Sequence, residues 1–218
     1  MAECRFCAAP LRRAFVDLGM SPLCESFVPA DQVDQMEAFY PLHAYVCDRC
    51  FLVQVPAYVR PETIFTGYAY FSSYSDSWLE HARVHVETIT TRLRLHAGSQ
   101  VVELGSNDGY LVAPGGVVTI EFPLLARLMT ENRCDTIYHE HFSYFSFLTA
   151  ERIFAAHGLT LFDVEELPTH GGSLRVYGRR ADDPSRPVTE RVRALQARER
   201  GRGTGAPGDV HLVHRGGG

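Results

Sequence analysis

At 218 residues and 45% hydrophobic content the chain has enough apolar material for one large domain or two small ones, which excludes a largely disordered protein. The formal charge of −5 is uneven: residues 1–178 hold 12 Arg against 21 acidic groups, residues 179–218 hold 9 Arg against 5, and there is no Lys. An acidic body argues against a nucleic-acid binder, no run approaches a membrane span, and residues 1–13 lack the apolar heart of a signal peptide, so a cytoplasmic protein with no membrane partner is expected.

The first feature along the chain is "CRFC", Cys4 and Cys7, answered by "CDRC", Cys47 and Cys50, with 39 residues between the knuckles. Each knuckle can offer two thiolates to one cation, and the pair completes the closed tetrahedral set of a structural Zn2+ site. The alternative is four free thiols in an apolar core. Cys24 and Cys134 have no such partner and read as small hydrophobes. Between the knuckles, "FYPLHAYVC", residues 39–47, alternates as a strand does. A zinc-ribbon binder of nucleic acid would need a basic face, yet Arg5, Arg12, Arg13, Arg49 and Arg60 are outnumbered by acids in residues 1–60.

Residues 74–98 read as an amphipathic helix, with Trp78, Ala82, Val86, Ile89 and Leu93 on one stripe, Ser77 and Glu80 as a capping box and Gly98 as its stop. A strand "QVVELG" follows, then the loop "GSNDGY", a junction that sets bare backbone and a helix N-terminus against a ligand. The next strand-like run, "VVTIEF", begins at Val117, leaving Ser106 to Gly116 as the link. Pro114, Gly115 and Gly116 do not suit a helix interior, so Asn107 to Ala113 provide two turns at most. A parallel pair needs a longer crossover.

Beyond it, "PLLARLMTEN" reads as a helix opened by Pro123, and "IYHEHFSYF" collects Tyr138, His139, Glu140 and His141. A fully extended chain would throw Tyr138 and Glu140 to one face and His141 to the other, so a loop must gather them. By spacing alone the histidines are equally well polar loop residues or a minor metal site. Thr149 is placed to cap the helix "AERIFAAHG" and Gly158 to end it. "LTLFDVEEL" and "GGSLRVYGRR" read as strands, with Gly171 and Gly172 either a turn or a close approach to ligand. "PVTERVRALQARER" is expected as a short helix from Pro187, solvated over most of its surface and poorly anchored. The Gly-rich end has little to bury.

The knuckles, "YAYFSSYSDSW", "VVELGSNDGYL", "PGGVVTIEFP", "DTIYHEHFSYFS" and "HGGSLRVYGRR" together resemble the zinc-binding sugar C-methyltransferases, over about residues 4–180. The resemblance implies a C-methyltransferase that uses S-adenosylmethionine to methylate a nucleotide-linked 4-keto-deoxysugar. His141 matches the general base of that family, and Tyr138 and Glu140 match the groups that orient or stabilise the reacting sugar. Tyr68, Glu103, Gly105, Asn107 and Asp108 match positions beside the cofactor, Asn107 and Asp108 reading otherwise as a turn or cap. Proton removal beside a ketone suits a histidine, and a nearby donor stabilises the charge that develops.

In the family a helix, a ribose-binding acid and two further strands stand where this chain runs directly from "NDGYL" to "VAPGG". The expected organisation is therefore α/β: a zinc-binding lobe over residues 1–60, an incomplete Rossmann-like methyltransferase domain over 61–180, and a poorly ordered tail over 181–218. Impaired cofactor binding follows from the missing ribose anchor. The alternative is a non-catalytic remnant whose zinc lobe survives as a folding or interaction module, with the apolar faces of Val117 to Phe122 and Leu124 to Met129 left exposed for self-association.

Overall fold

The computed structural model describes residues 2–65, 75–96, 99 and 116–201. Tyr68, the "QVVELG" strand and the loop with Glu103, Gly105, Asn107 and Asp108 lie outside these residues. Two compact units are distinguished, Met1–Ile64 together with Tyr110–Gly218, and Phe65–Gly109.

In the first unit, β1 (Arg13–Ser21) and β2 (Tyr40–Val46) form an antiparallel pair. The alternation seen in the sequence does the work here, since Leu42, Ala44 and Val46 point inward against Phe15 and Val16 while their neighbours in β2 stay half-exposed. β3 (Val53–Gln54) adds to β2, and β5 (Ser143–Tyr144), from the segment just after His141, adds to β3 in the register Val53↔Tyr144 and Gln54↔Ser143. The sheet order is β1-β2-β3-β5, so the N-terminal lobe and the "HEHFSY" segment share one sheet. A short helix, α1 (Pro61–Phe65), follows the lobe.

The second sheet has the order β4-β7-β6, from β4 (Val118–Pro123), β6 (Leu159–Leu167) and β7 (Ser173–Arg180), all antiparallel. The two strands expected from "LTLFDVEEL" and "GGSLRVYGRR" are thus found. Mixed α/β composition holds, but the Rossmann-like expectation is not confirmed by these residues: every ladder between the strands named here is antiparallel, and the parallel contact is the isolated bridge Leu124↔Phe145. The physical reason is connectivity, because β6 and β7 are joined by only Pro168 to Gly172, far too short for a parallel crossover.

α3 (Leu125–Thr130) connects the sheets: the Leu124 amide donates to the Gly172 carbonyl at 3.0 Å and the Leu125 amide to the Phe145 carbonyl at 3.0 Å. Leu124, Leu125, Ala126 and Leu128 are buried. The exposed apolar face expected over Leu124 to Met129 is therefore absent, since Leu125 and Leu128 fill the first core and Leu124 and Ala126 the second. The helix starts after Pro123, which ends β4, rather than with it.

α4 (Phe147–Ala156) is capped by the Ser146 hydroxyl, which accepts from the Thr149 amide at 3.1 Å. Thr149, the expected cap, is instead a first-turn residue, and Gly158 (φ 71°) takes the left-handed turn after the helix. α5 (Glu190–Gly201) corrects the expectation of a poorly anchored helix in a disordered tail: Val192, Leu195 and Glu199 are buried against β6 and α4. Three inward positions suffice, although Arg and Glu dominate the other faces and mask the stripe.

In the second unit, α2 (Asp76–Leu93) begins at Ser75, whose hydroxyl accepts from the Trp78 amide, and ends at Arg94 in the left-handed conformation. The expected cap at Ser77 is displaced by Ser75, which leaves Ser77 inside the first turn, while Glu80 pairs with Arg83 at 2.6 Å. No helix among the described residues is long and apolar enough to cross a membrane.

Candidate functional site: a four-cysteine centre clamped to a Tyr–His pair

Two turns of the same design build the metal centre. In each, the residue after the second cysteine adopts a left-handed backbone, Ala8 at φ 56° and Phe51 at φ 63°, and its amide returns to the carbonyl of the first cysteine, at 2.8 Å for Cys4 and 3.0 Å for Cys47. This folds each CxxC back on itself and aims both sulfurs the same way. The Cys4 and Cys50 sulfurs lie 3.5 Å apart, those of Cys7 and Cys47 3.6 Å, and all four fall within 4.8 Å of one another. Sulfurs around a tetrahedral zinc at about 2.3 Å stand about 3.8 Å apart, so the four residues fit that ion with only small side-chain adjustment.

Hydrogen bonds prepare the centre. Burial raises the Cys4 thiol, but donation from the Cys7 and Phe6 backbone and the Gln54 amide outweighs it and brings the value down to about 7. Burial pushes Cys7 and Cys50 up. Gln54 Nε2 donates to Cys4 Sγ at 3.2 Å while its Oε1 accepts from the Arg5 amide at 3.0 Å. Nothing in the sequence singled out Gln54, which is recognisable only once β3 lays it over the sulfur.

The same knuckle reaches the second site. Arg5, lying between the two cysteines, donates to the Ser143 hydroxyl at 3.1 Å and the Val55 carbonyl at 2.7 Å, and its guanidinium sits over the Phe142 ring. The Val55 amide donates to the Phe142 carbonyl at 3.2 Å. Metal knuckle, β3 and β5 thus form one clamp on the residues that follow His141.

A turn of 3-10 helix at Cys134–Thr136 and a tight turn in which the His141 amide reaches the Tyr138 carbonyl at 3.1 Å supply the loop that the sequence required. Tyr138 and His141 come together: the hydroxyl lies 2.7 Å from Nε2 and the ring centroids stand 4.0 Å apart at a tilt of 32°. Nδ1 faces the Thr136 carbonyl at 3.0 Å, and since a carbonyl only accepts, the proton resides on Nδ1 and the Nε2 lone pair accepts from the Tyr138 hydroxyl. Burial, with a smaller push from His170, lowers the His141 pKa, against Thr136 and Glu140, which raise it. Glu140 also interacts with Cys24, drawing that residue of the β1–β2 connection to the site. His139 turns away and donates to the Pro41 carbonyl at 3.2 Å, a packing role.

Residues 4–65 match the family described as "Putative zinc binding domain". The chain is also 27% identical to C-methyltransferase NovU of Streptomyces niveus over 279 aligned residues, covering 92% of this chain and 66% of the relative. The chain thus resembles a zinc-binding domain in its N-terminal lobe and a C-methyltransferase over most of its length. It spans about two thirds of that relative's length. Because 92% of 218 residues is about 200, roughly 80 of the 279 aligned positions have no residue here. The similarity must also run past Arg180, where the sequence motifs had ended, in keeping with the packed α5.

Proposed function

We propose that this chain is an S-adenosylmethionine-dependent C-methyltransferase for a nucleotide-linked 4-keto-deoxysugar, with a weakened hold on its cofactor. The observation that carries the reading is the Tyr138–His141–Thr136 array, which presents one basic nitrogen with a hydroxyl already upon it. His141 Nε2 removes the proton beside the ketone. Nδ1 stays bound to Thr136, and the negative charge of Glu140 favours the imidazolium that forms.

Substrate binding changes the role of Tyr138. Its hydroxyl donates to the Nε2 lone pair beforehand; the ketone oxygen draws that O–H to itself, which frees Nε2 to take the carbon proton while Tyr138 stabilises the charge that develops on the oxygen. S-adenosylmethionine, when bound, supplies the electrophilic methyl group. Tyr68, Glu103, Gly105, Asn107 and Asp108 are its proposed contacts. The four cysteines give Zn2+ a closed shell, so the metal braces the β3–β5 clamp rather than touching substrate.

The roughly 80 absent alignment positions support the weakened cofactor site. Transfer of a labelled methyl group to a nucleotide-linked 4-keto-deoxysugar tests the activity, and its absence at high cofactor concentration would refute it. Calorimetric titration with S-adenosylmethionine tests the impairment; micromolar affinity would overturn that part.

A further inference from the structure

We infer that a concavity beside His141 is a phosphate-binding subsite, which, on the function proposed above, takes the diphosphate of the nucleotide-linked substrate. Arg127, Arg133, Thr136, His170, Gly171 and Gly172 contribute to its wall, and no acidic side chain lines it. Thr136 ties it to the base, since the carbonyl that holds His141 Nδ1 belongs to this residue.

The two guanidinium arms are held only by long ion pairs. Arg127 lies 3.7 Å from Glu131 and 3.6 Å from Glu166, and Arg133 lies 3.6 Å from Glu131 and 3.8 Å from Asp135. These are long ion pairs, and among the described residues neither guanidinium makes a side-chain hydrogen bond. A forked donor of this kind recognises phosphate oxygens by paired hydrogen bonds. The carboxylates stand outside the lining of the concavity and beyond hydrogen-bond distance, so a phosphate can compete with them for both terminal nitrogens of each arm.

The "HGG" turn explains why the arms can lie there. Gly171 (φ 76°) is so close that a Cβ would stand 1.2 Å from Arg133 Nη1, and a Cβ on Gly172 (φ 124°) would stand 2.9 Å from Arg127 Cγ. His170 sits at φ 50°, a left-handed backbone uncommon outside glycine, which turns the chain into the Gly171–Gly172 pair. Bare backbone, two arginines and a histidine thus converge on one small hollow.

The test is calorimetric titration of the zinc-loaded chain with inorganic pyrophosphate and with thymidine diphosphate, at fixed ionic strength. Arg133→Gln and Arg127→Gln are each expected to weaken both ligands by about tenfold or more, Gly171→Ala to do likewise, and Arg180→Gln on the remote surface to change nothing. Failure of the folded wild type to bind pyrophosphate, equal affinity in Arg133→Gln, or an equal loss in Arg180→Gln would each overturn the inference. If arginine-dependent binding is found but methyl transfer is not, the enzymatic reading falls and the subsite stands; if methyl transfer proceeds with a KM for the sugar nucleotide that Arg133→Gln leaves unchanged, the reverse holds.

Discussion

Glu199 lies in α5, yet both its carboxylate oxygens serve another helix, accepting from the Phe147 amide at 3.0 Å and the Leu148 amide at 3.1 Å at the start of α4. Phe147 is fully buried and Glu199 only 1% exposed, so water cannot replace the lost acceptor in Glu199→Ala. Two hydrogen bonds to a charged group contribute about 1.5–3 kcal/mol each, and the helix N-terminus adds a few tenths to 1 kcal/mol. Removing the acid also relieves the cost of burying it, which places the net loss near the lower end, at about 3 kcal/mol. For a chain of this size that corresponds to a fall in Tm of about 6–12 °C. Urea and thermal unfolding followed by circular dichroism on zinc-saturated protein measure it. Glu199→Gln keeps one acceptor and should lose about half as much, while Glu190→Ala, in the exposed pair with Arg193, should be silent. A loss below about 1 kcal/mol in Glu199→Ala would refute the capping argument.

Metal release by a chelator should yield one zinc per chain, and Cys50→Ser should bind none; because Arg5 and Gln54 couple the knuckle to β3 and β5, hydrogen exchange at the Tyr144 amide should then accelerate, and unchanged protection there would disprove the clamp. His141 has a folded pKa below its ordinary 6.5, so the unfolded chain takes up the proton first: stability should be flat above pH 6.5 and fall as the pH drops through the folded value. His141→Gln should remove that limb from the urea midpoint, and the wild-type acid limb of methyl transfer should likewise lie below pH 6.5. Arg175, buried between Glu121 at 2.7 Å and Glu165 at 3.6 Å, should cost about 3 kcal/mol when changed to Met. Adding Glu121→Gln should recover part of that loss, and strict additivity in the double variant would contradict the pairing.

The elements that were legible in sequence are those whose signal is local. β2 shows through Leu42, Ala44 and Val46 at period two, and β6 and β7 through runs of eight or nine residues closed by the Gly171–Gly172 turn. Helix ends were off by a residue or more where two candidates competed: Ser75 caps instead of Ser77, Ser146 instead of Thr149, and Arg94 takes the left-handed position offered to Gly98. Such choices depend on which hydroxyl the incoming chain delivers to the open amides, and that direction is not written locally. β5 was invisible because a two-residue strand has no period.

The amino-acid sequence by itself determined the metal centre and the gathering of Tyr138, Glu140 and His141 into one short stretch, since a chelate of two knuckles and a cluster within four residues need only short-range geometry. Only the tertiary structure decided that β5 ties this stretch to the metal lobe, that Glu199 holds α4, and that Arg127 and Arg133 meet the His170–Gly172 turn. These join residues far apart along the chain, and each contact forms only when the surfaces on both sides have already been folded into place.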